Sequence, residues 1–139
     1  MEFTPAGELI GDKHQLRSIT LRGHSKAMDG SYTFLDTYCT DEECDCRKAM
    51  IHVLRNGVAV SIINFGWEPL AFYKKWYGKA GSHKDAVDFK GPSIDISSPD
   101  LINREEVLTL FNRLLNDAWI ERMKEHYRLF RLALKKTPR

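Results

Sequence analysis

The sequence predicts a single α+β domain in which a small antiparallel sheet of three or four strands packs against about three helices. Apolar residues of the first half follow strand-like spacing, whereas those of the last third recur every three or four residues. A length of 139 residues, with 42% hydrophobic and 29% charged residues, is typical of one folded domain. We therefore interpret residues 1–139 as one domain. Residues 1–13 hold two glycines and a proline with little periodicity, so we expect a flexible arm there.

Two segments in the first third of the chain have the composition of strands. Residues 16–21 give a weak strand signal and are joined by a turn-rich segment, 23–30, to a stronger strand at 32–39. On this second strand three aromatic residues share one face: Tyr32, Phe34 and Tyr38. Asp36 interrupts that aromatic face.

A β-hairpin is predicted around Asn56 and Gly57. Residues 49–54 and 58–65 are apolar, β-rich runs on either side of this pair. Asn-Gly favours a type I′ turn because both central residues of that turn need a positive φ. We expect these two runs to be neighbouring strands.

The helical segments follow the hairpin. Pro69 suits the first turn of a helix, and Asn103 suits a helix N-cap. The three predicted helices lie near 69–77, 104–116 and 118–135. Between the first two, residues 78–103 are rich in glycine, proline and serine, and we expect them to form a long irregular connection.

The most specific chemical feature is a cluster of three cysteines, Cys39, Cys44 and Cys46, at C-x4-C-x-C spacing. An odd number of cysteines within eight residues is a poor match to a disulfide framework. The first residues also lack the pattern of a secretory signal, so we expect a reducing, cytoplasmic compartment. These observations favour metal or redox chemistry.

Strand pairing would bring the sulfur atoms together. If the strands ending at Cys39 and beginning at Cys46 are antiparallel neighbours, their Cα atoms lie about 5 Å apart, with Cys44 in the loop beside them. Three converging sulfur atoms suit zinc, which binds thiolates at about 2.3 Å. Four carboxylates in the same loop oppose ionisation of a free thiol, whereas a divalent cation would deprotonate its ligands. We therefore predict a structural zinc site.

A closed zinc site needs a fourth ligand, for which the sequence favours His14. Antiparallel pairing through the 23–30 turn would place Cys39 opposite Gln15, next to His14. His83, in the long connection, is the second choice, and a water molecule or a carboxylate in this position would leave an open, catalytic type of site. The predicted metal ligands are thus Cys39, Cys44, Cys46 and His14.

Three other interpretations stay open. The cysteines could form a redox pair, such as Cys39 with Cys44, or belong to a thiol or metal-dependent enzyme, or be inert. A nucleic-acid-binding module is the main non-metal alternative. It would use the seven cations from Arg122 to Arg139 and the aromatic set at Trp67, Phe72, Tyr73, Trp76 and Tyr77. A net charge of +2 gives it little support, and a solvated helix face and core aromatics are the commoner explanations.

Partners are otherwise undefined, with a protein partner one option. No apolar run approaches the length of a membrane helix, so we expect no membrane partner.

The segments Tyr38-Cys39, Cys44-Asp45-Cys46-Arg47, Gly66-Trp67-Glu68-Pro69-Leu70 and Gly91-Pro92-Ser93 together resemble a group of uncharacterised bacterial proteins. Some members of that group carry a separate C-terminal SEC-C metal motif, which this sequence lacks. The resemblance spans about residues 32–130. It implies that the three cysteines are metal ligands, and it implies no known activity.

Overall fold

The computed structural model describes residues 2–77 and 83–136. Its strands are β1 (Phe3–Pro5), β2 (Arg17–Leu21), β3 (Gly30–Cys39), β4 (Lys48–Arg55), β5 (Val58–Gly66) and β6 (Ser93–Ile94). Its helices are α1 (Gly7–Ile10), α2 (Leu70–Tyr77), α3 (His83–Lys90), α4 (Arg104–Leu114) and α5 (Asp117–Lys136), and a 3-10 turn (Gly11–Lys13) follows α1.

The six strands form one antiparallel sheet in the order β1-β3-β4-β5-β6, with β2 also paired to β3. The α+β class is as predicted, but the sheet is larger than the three or four strands expected, and the described residues hold five helices instead of three. The extra strands are the short ones, β1 and β6, which occupy the edges. Segments of two or three residues carry too little periodicity to be recognised from sequence.

The hairpin prediction is confirmed. Strands β4 and β5 pair from Lys48↔Gly66 to Arg55↔Val58, with Asn56 and Gly57 as the connecting residues. Their φ angles are 50° and 81°, as a turn with two positive φ values requires.

Residues 2–13 are part of the fold and do not form the arm expected over 1–13. Strand β1 pairs with the end of β3, so that Phe3 lies opposite Cys39. Ala6 and Ile10 are buried in the main core. Apolar contacts and one strand pairing thus hold a segment whose glycines and proline suggested a loose chain.

The predicted helices over 69–77, 104–116 and 118–135 correspond to α2, α4 and α5. Asn103 caps α4 as expected, because its Oδ1 accepts from the Glu106 N–H at 3.0 Å. Helix α3, by contrast, lies within the segment predicted to be an irregular connection. One of its residues, Ala86, is buried.

The main core lies on one face of the sheet. It joins Phe34, Ile51 and Ile63 of the sheet to Phe111 of α4 and Phe130 of α5. Side chains alternate between the two faces of a strand, so Cys39, next to the core residue Tyr38, points to the opposite face. Among the helices described, none has the length and apolar character that crossing a membrane requires.

Candidate metal centre

The three cysteines lie together in a small buried cluster that is separate from the main core. Cys39 is the last residue of β3, and Cys44 and Cys46 lie in the loop before β4. Their exposed fractions are 1%, 8% and 0%. Phe3 of β1 and Phe89 of α3 pack against them.

Cys44 is the central member of this cluster. It interacts with the thiols of both Cys39 and Cys46 and raises the pKa of each, but the three sulfur atoms do not all lie within 4.8 Å of one another. Burial, followed by the neighbouring thiols, raises the pKa of Cys46 well above its ordinary value. Burial also raises the pKa of Cys39. Without a bound metal ion, Cys39 and Cys46 are therefore neutral thiols and poor nucleophiles.

The backbone acts against burial at two of these thiols. Hydrogen bonding by the backbone of Asp41 lowers the pKa of Cys39, and hydrogen bonding by that of Lys48 lowers the pKa of Cys46, each by less than burial raises it. In each case the donor lies two residues after the cysteine. Such hydrogen bonds favour the thiolate form, which is the form that binds a metal.

Residues of helix α5 hold the loop that carries Cys44 and Cys46. The Arg131 guanidinium donates to the carbonyl of Cys44 and, at 2.9 Å, to that of Glu42. The Tyr127 hydroxyl donates to Asp45 Oδ1 at 2.8 Å and accepts from the Arg47 N–H at 3.3 Å. The cysteines are thus fixed by long-range contacts and not by the loop sequence alone.

Helix α2 completes this anchoring through Tyr73. The Tyr73 hydroxyl donates to the Arg47 carbonyl at 2.7 Å and accepts from the Glu68 N–H at 3.2 Å. Gly66 is required beside it, since a Cβ at this position would lie 2.2 Å from the Tyr73 hydroxyl oxygen. Arg47 itself has a φ of 48°, which turns the chain between Cys46 and β4.

A buried ammonium group lies beside the cysteines. Lys48 is 2% exposed, its Nζ donates to Asn64 Oδ1 at 2.9 Å, and it lies 3.8 Å from the centre of the Phe89 ring. Burial lowers the pKa of Lys48 to about 8, while Cys46 and Asp95 act in the opposite direction. Within 2–77 and 83–136 no carboxylate forms an ion pair with this lysine.

The same lysine forms part of the wall of a cleft of about 770 Å³. Phe3 and Phe89, which pack against the cysteines, line this cleft as well. Asn64 spans its floor, accepting from Lys48 and donating to Asp95 Oδ1 at 2.9 Å. The cysteine cluster and the cleft therefore share two wall residues, Phe3 and Phe89.

The strand registers differ from those predicted, and His14 does not join the cysteines. Cys39 pairs with Phe3 and not with Gln15. The β3–β4 ladder pairs Thr37 with Met50, a shift of two residues from the register that would set Cys39 opposite Cys46. His83 is the exposed first residue of α3.

His14 instead belongs to a buried group on the core side of the sheet. Its Nε2 lies 2.5 Å from Asp36 Oδ1, while His126 Nδ1 lies 2.7 Å from Asp36 Oδ2. The Tyr38 hydroxyl donates to the same Oδ2 at 2.5 Å. In the part of the chain that the structure describes, His14, Asp36 and His126 form the one set of three potential ligand atoms lying within 4.8 Å of one another.

Hydrogen bonding explains this set better than a metal ion does. The Gln15 N–H donates to His126 Nε2 at 3.2 Å, so the neutral ring carries its proton on Nδ1 and donates it to Asp36. A metal ion bound to Nδ1 would then require the His126 ring to carry no proton on either nitrogen, as an imidazolate anion. Burial would raise the pKa of Asp36, but hydrogen bonds from His126, His14 and Tyr38 hold it well below its ordinary value.

The features that suggested nucleic-acid binding are mostly engaged within the fold. Tyr73 is buried and Trp67 packs edge-on against Tyr127 at 5.2 Å. Of the basic residues of α5, Arg128 pairs with Glu125 and Lys124 with Glu121. The side chain of Tyr77 and all of Arg139 lie outside the described part of the chain.

Comparison with known proteins assigns this chain to no family. No protein-family model, no curated protein and no solved structure matches it. The resemblance based on the cysteine, Gly-Trp-Glu-Pro-Leu and Gly-Pro-Ser segments therefore stays a prediction, and the function has to be argued from the geometry.

Proposed function

We propose that this protein is a non-enzymatic metal-binding domain in which Cys39, Cys44 and Cys46 hold a zinc ion. The observation that carries the proposal is the burial of three cysteines in one cluster beside the Lys48 ammonium, which has no carboxylate ion-pair partner among the described residues. Buried charges are normally paired or bind metals. A metal–thiolate group would supply the missing negative charge.

The binding reaction exchanges thiol hydrogen bonds for metal bonds. Cys44 contacts both other thiols. An ion bound to the Cys44 sulfur would therefore require only that the sulfur atoms of Cys39 and Cys46 move closer to it. A bound cation would displace the three thiol protons, which pass to solvent, and the backbone of Asp41 and Lys48 would stabilise the resulting thiolates of Cys39 and Cys46. Zinc suits this donor set because it prefers thiolate ligands in tetrahedral sites.

Lys48 balances the charge of the loaded site. A divalent ion with three thiolates carries a net charge of −1, and the adjacent ammonium brings the buried group to zero. Uncompensated buried charge costs several kcal/mol, so this balance favours binding. In the metal-free protein the same ammonium has the attraction of the Asp95 carboxylate, to which Asn64 connects it, but no direct ion pair among the described residues.

The ion would act as a cross-link. It joins the end of β3 to the loop before β4, a segment that otherwise depends on Arg131, Tyr127 and Tyr73. Raised thiol pKa values disfavour the alternative of a thiol enzyme, which needs an activated cysteine. We therefore assign the metal a structural role.

Elemental analysis of protein purified without added zinc tests the proposal. We expect about one equivalent of zinc in the wild type and well under half an equivalent in Cys44→Ser, because this variant removes the central sulfur. Thr40→Ala changes a residue of the same loop without touching a sulfur and should keep its zinc. Substoichiometric metal in the wild type, or equal metal in Cys44→Ser, would contradict the proposal.

A further inference from the structure

The ammonium group of Lys48 lies in the wall of the cleft of about 770 Å³. Lys48 is 2% exposed, and its Nζ donates to Asn64 Oδ1 at 2.9 Å. Nζ also lies 3.8 Å from the centre of the Phe89 ring and 5.8 Å from that of Phe3. Asn64, Phe89 and Phe3 all line the cleft, as Lys48 itself does. The buried ammonium is therefore surrounded by residues of the cleft wall.

Nζ keeps hydrogen-bonding capacity that the fold does not use. An ammonium group carries three N–H donors. Across residues 2–77 and 83–136, Asn64 is the one hydrogen-bond acceptor of Nζ. The rings of Phe3 and Phe89 attract the charge but supply no oxygen. Because a buried charge with unmade hydrogen bonds is costly, an oxygen acceptor in the cleft would stabilise this group.

The charges around the cleft differ in their exposure. Cationic and acidic side chains line it in equal number: Lys48, Lys84 and Arg104 against Asp85, Asp88 and Asp95. Four of these residues are exposed to water, which screens their charges: Lys84, Asp85, Asp88 and Arg104. Among the described residues of the wall, Lys48 is thus the one buried cation, and Asp95 is the carboxylate that acts on it.

Asp95 offsets part of this charge without contacting it. Its carboxylate attracts the ammonium, but the amide of Asn64 lies between them, accepting from Lys48 and donating to Asp95 Oδ1 at 2.9 Å. Asp95 Oδ2 accepts from the N–H of Ser97 at 3.0 Å and also from its hydroxyl. A single buried cation that is already partly balanced suits a ligand with one negative charge better than a dianion such as phosphate.

The cleft also has an apolar side. Met50 and Ile94 line it together with the two phenylalanines, and Ile96, another lining residue, is fully exposed. Small-molecule sites typically combine apolar walls with a few placed polar groups. The arrangement therefore suits a ligand that joins an apolar body to one charged end.

We infer that this cleft binds a small carboxylate with an apolar body, whose carboxylate oxygen accepts a hydrogen bond from Lys48 Nζ. The inference goes beyond the proposed metal site and does not depend on it, since it needs only the ammonium and the cleft. A loaded metal site would draw on the same charge and weaken carboxylate binding. The full chain is therefore tested after treatment with a chelator and dialysis.

Calorimetric titration with benzoate tests the inference. We expect saturable binding of about one equivalent. Benzamide has a similar shape without the charge and should bind at least tenfold more weakly. Inorganic phosphate should also bind at least tenfold more weakly than benzoate. Absence of saturable benzoate binding, or equal binding of benzamide or phosphate, would contradict the inference.

Two lysine variants identify the charge that binds. Lys48→Met keeps an apolar stem and removes the ammonium, so it should weaken benzoate binding at least tenfold. Lys84→Met changes an exposed cation of the same cleft and is the matched control, which should bind benzoate within twofold of the wild type. Unchanged binding by Lys48→Met, or a larger loss in Lys84→Met, would overturn the role of Lys48.

Methionine methyl NMR of the wild type locates the ligand without any substitution. Met50 lines the cleft, whereas Met28 lines a separate pocket of about 310 Å³ and Met123 lies in the main core. The ring current of bound benzoate should shift the Met50 methyl signal to saturation and leave the signals of Met28 and Met123 in place. An unshifted Met50 signal would place the ligand elsewhere and overturn the inference, even if Lys48→Met did not fold.

Discussion

Asp36 is a buried carboxylate on a strand face that is otherwise aromatic. It is 4% exposed and accepts hydrogen bonds from His14, His126 and Tyr38. These contacts join β3 to α5 and to the segment before β2. A single charged residue therefore ties together three distant parts of the chain.

Replacing Asp36 by asparagine should destabilise the protein by about 3 kcal/mol at pH 7, since it removes a buried charge from its hydrogen-bond donors. The folded-state pKa of Asp36 is lowered from 3.8, so its ionisation contributes in full above that value. Each pH unit below 3.8 should remove about 1.4 kcal/mol of the contribution. Urea unfolding of wild type and Asp36→Asn at pH 7 and pH 3 measures this.

The exposed carboxylate Asp12 provides the control. Asp12→Asn should change stability by less than about 0.5 kcal/mol at either pH. A difference between wild type and Asp36→Asn that does not shrink on acidification would show that the Asp36 charge is not what stabilises the fold.

The sequence held a signal for this residue but not for its partners. A carboxylate at the core-facing position between Phe34 and Tyr38 implies a buried charge, and a buried charge needs donors. The two histidine donors, His14 and His126, lie 22 and 90 residues away along the chain. Only the tertiary fold brings them together, so spacing rules could not name them.

At the scale of the elements, the turn between β4 and β5 depends on Gly57. Its φ is +81°, and a Cβ there would meet no atom within 4 Å, so substitution acts through backbone strain alone. Gly57→Ala should cost about 1–2 kcal/mol, whereas Gly57→Asn should cost less because asparagine tolerates the left-handed region better. Thermal unfolding of the two variants should rank them in that order, and equal melting temperatures would contradict the argument.

Helix α5 should set the affinity of the proposed metal site through Arg131. Arg131→Met removes both hydrogen bonds to the carbonyls of the cysteine loop while keeping much of the apolar stem. We expect at least a fivefold loss of zinc affinity in competition with a chelator. Arg128→Met, on the same helix and paired with Glu125, is the matched control and should bind zinc as the wild type does.

The sequence predicts some strands and helices and misses others, and the difference has a physical reason. The hairpin follows from two adjacent residues, and α4 and α5 follow from long apolar periodicity, so local sequence was sufficient for each. Strand β1 and helix α3 are short, and tertiary contacts stabilise them, such as the pairing of Phe3 with Cys39. The same limit applies to the site: spacing predicts that the cysteines lie close together, but the pairing of Cys39 with Phe3 and the place of His14 beside Asp36 arise only in the tertiary fold.

On the scale of the whole molecule, the sheet separates two apolar clusters of unequal size. The larger contains residues of β3, β4, β5, α1, α4 and α5, and the smaller contains the three cysteines with Phe3 and Phe89 at their side. No cysteine belongs to the larger cluster. Loss of the proposed metal ion should therefore loosen one face of the sheet and leave the main core packed.

Thermal unfolding with zinc or chelator tests this division. Zinc at a free concentration 100-fold above its dissociation constant should stabilise the wild type by about 2.7 kcal/mol, which is a rise of about 10 °C in Tm for a domain of this size. Chelated wild type and a variant with all three cysteines replaced by serine should still unfold cooperatively, because α4 and α5 keep their core contacts. The Tm of the variant with three serines should not change when zinc is added. Complete loss of helical circular dichroism on chelation would mean that the metal site, and not the larger cluster, holds the fold together.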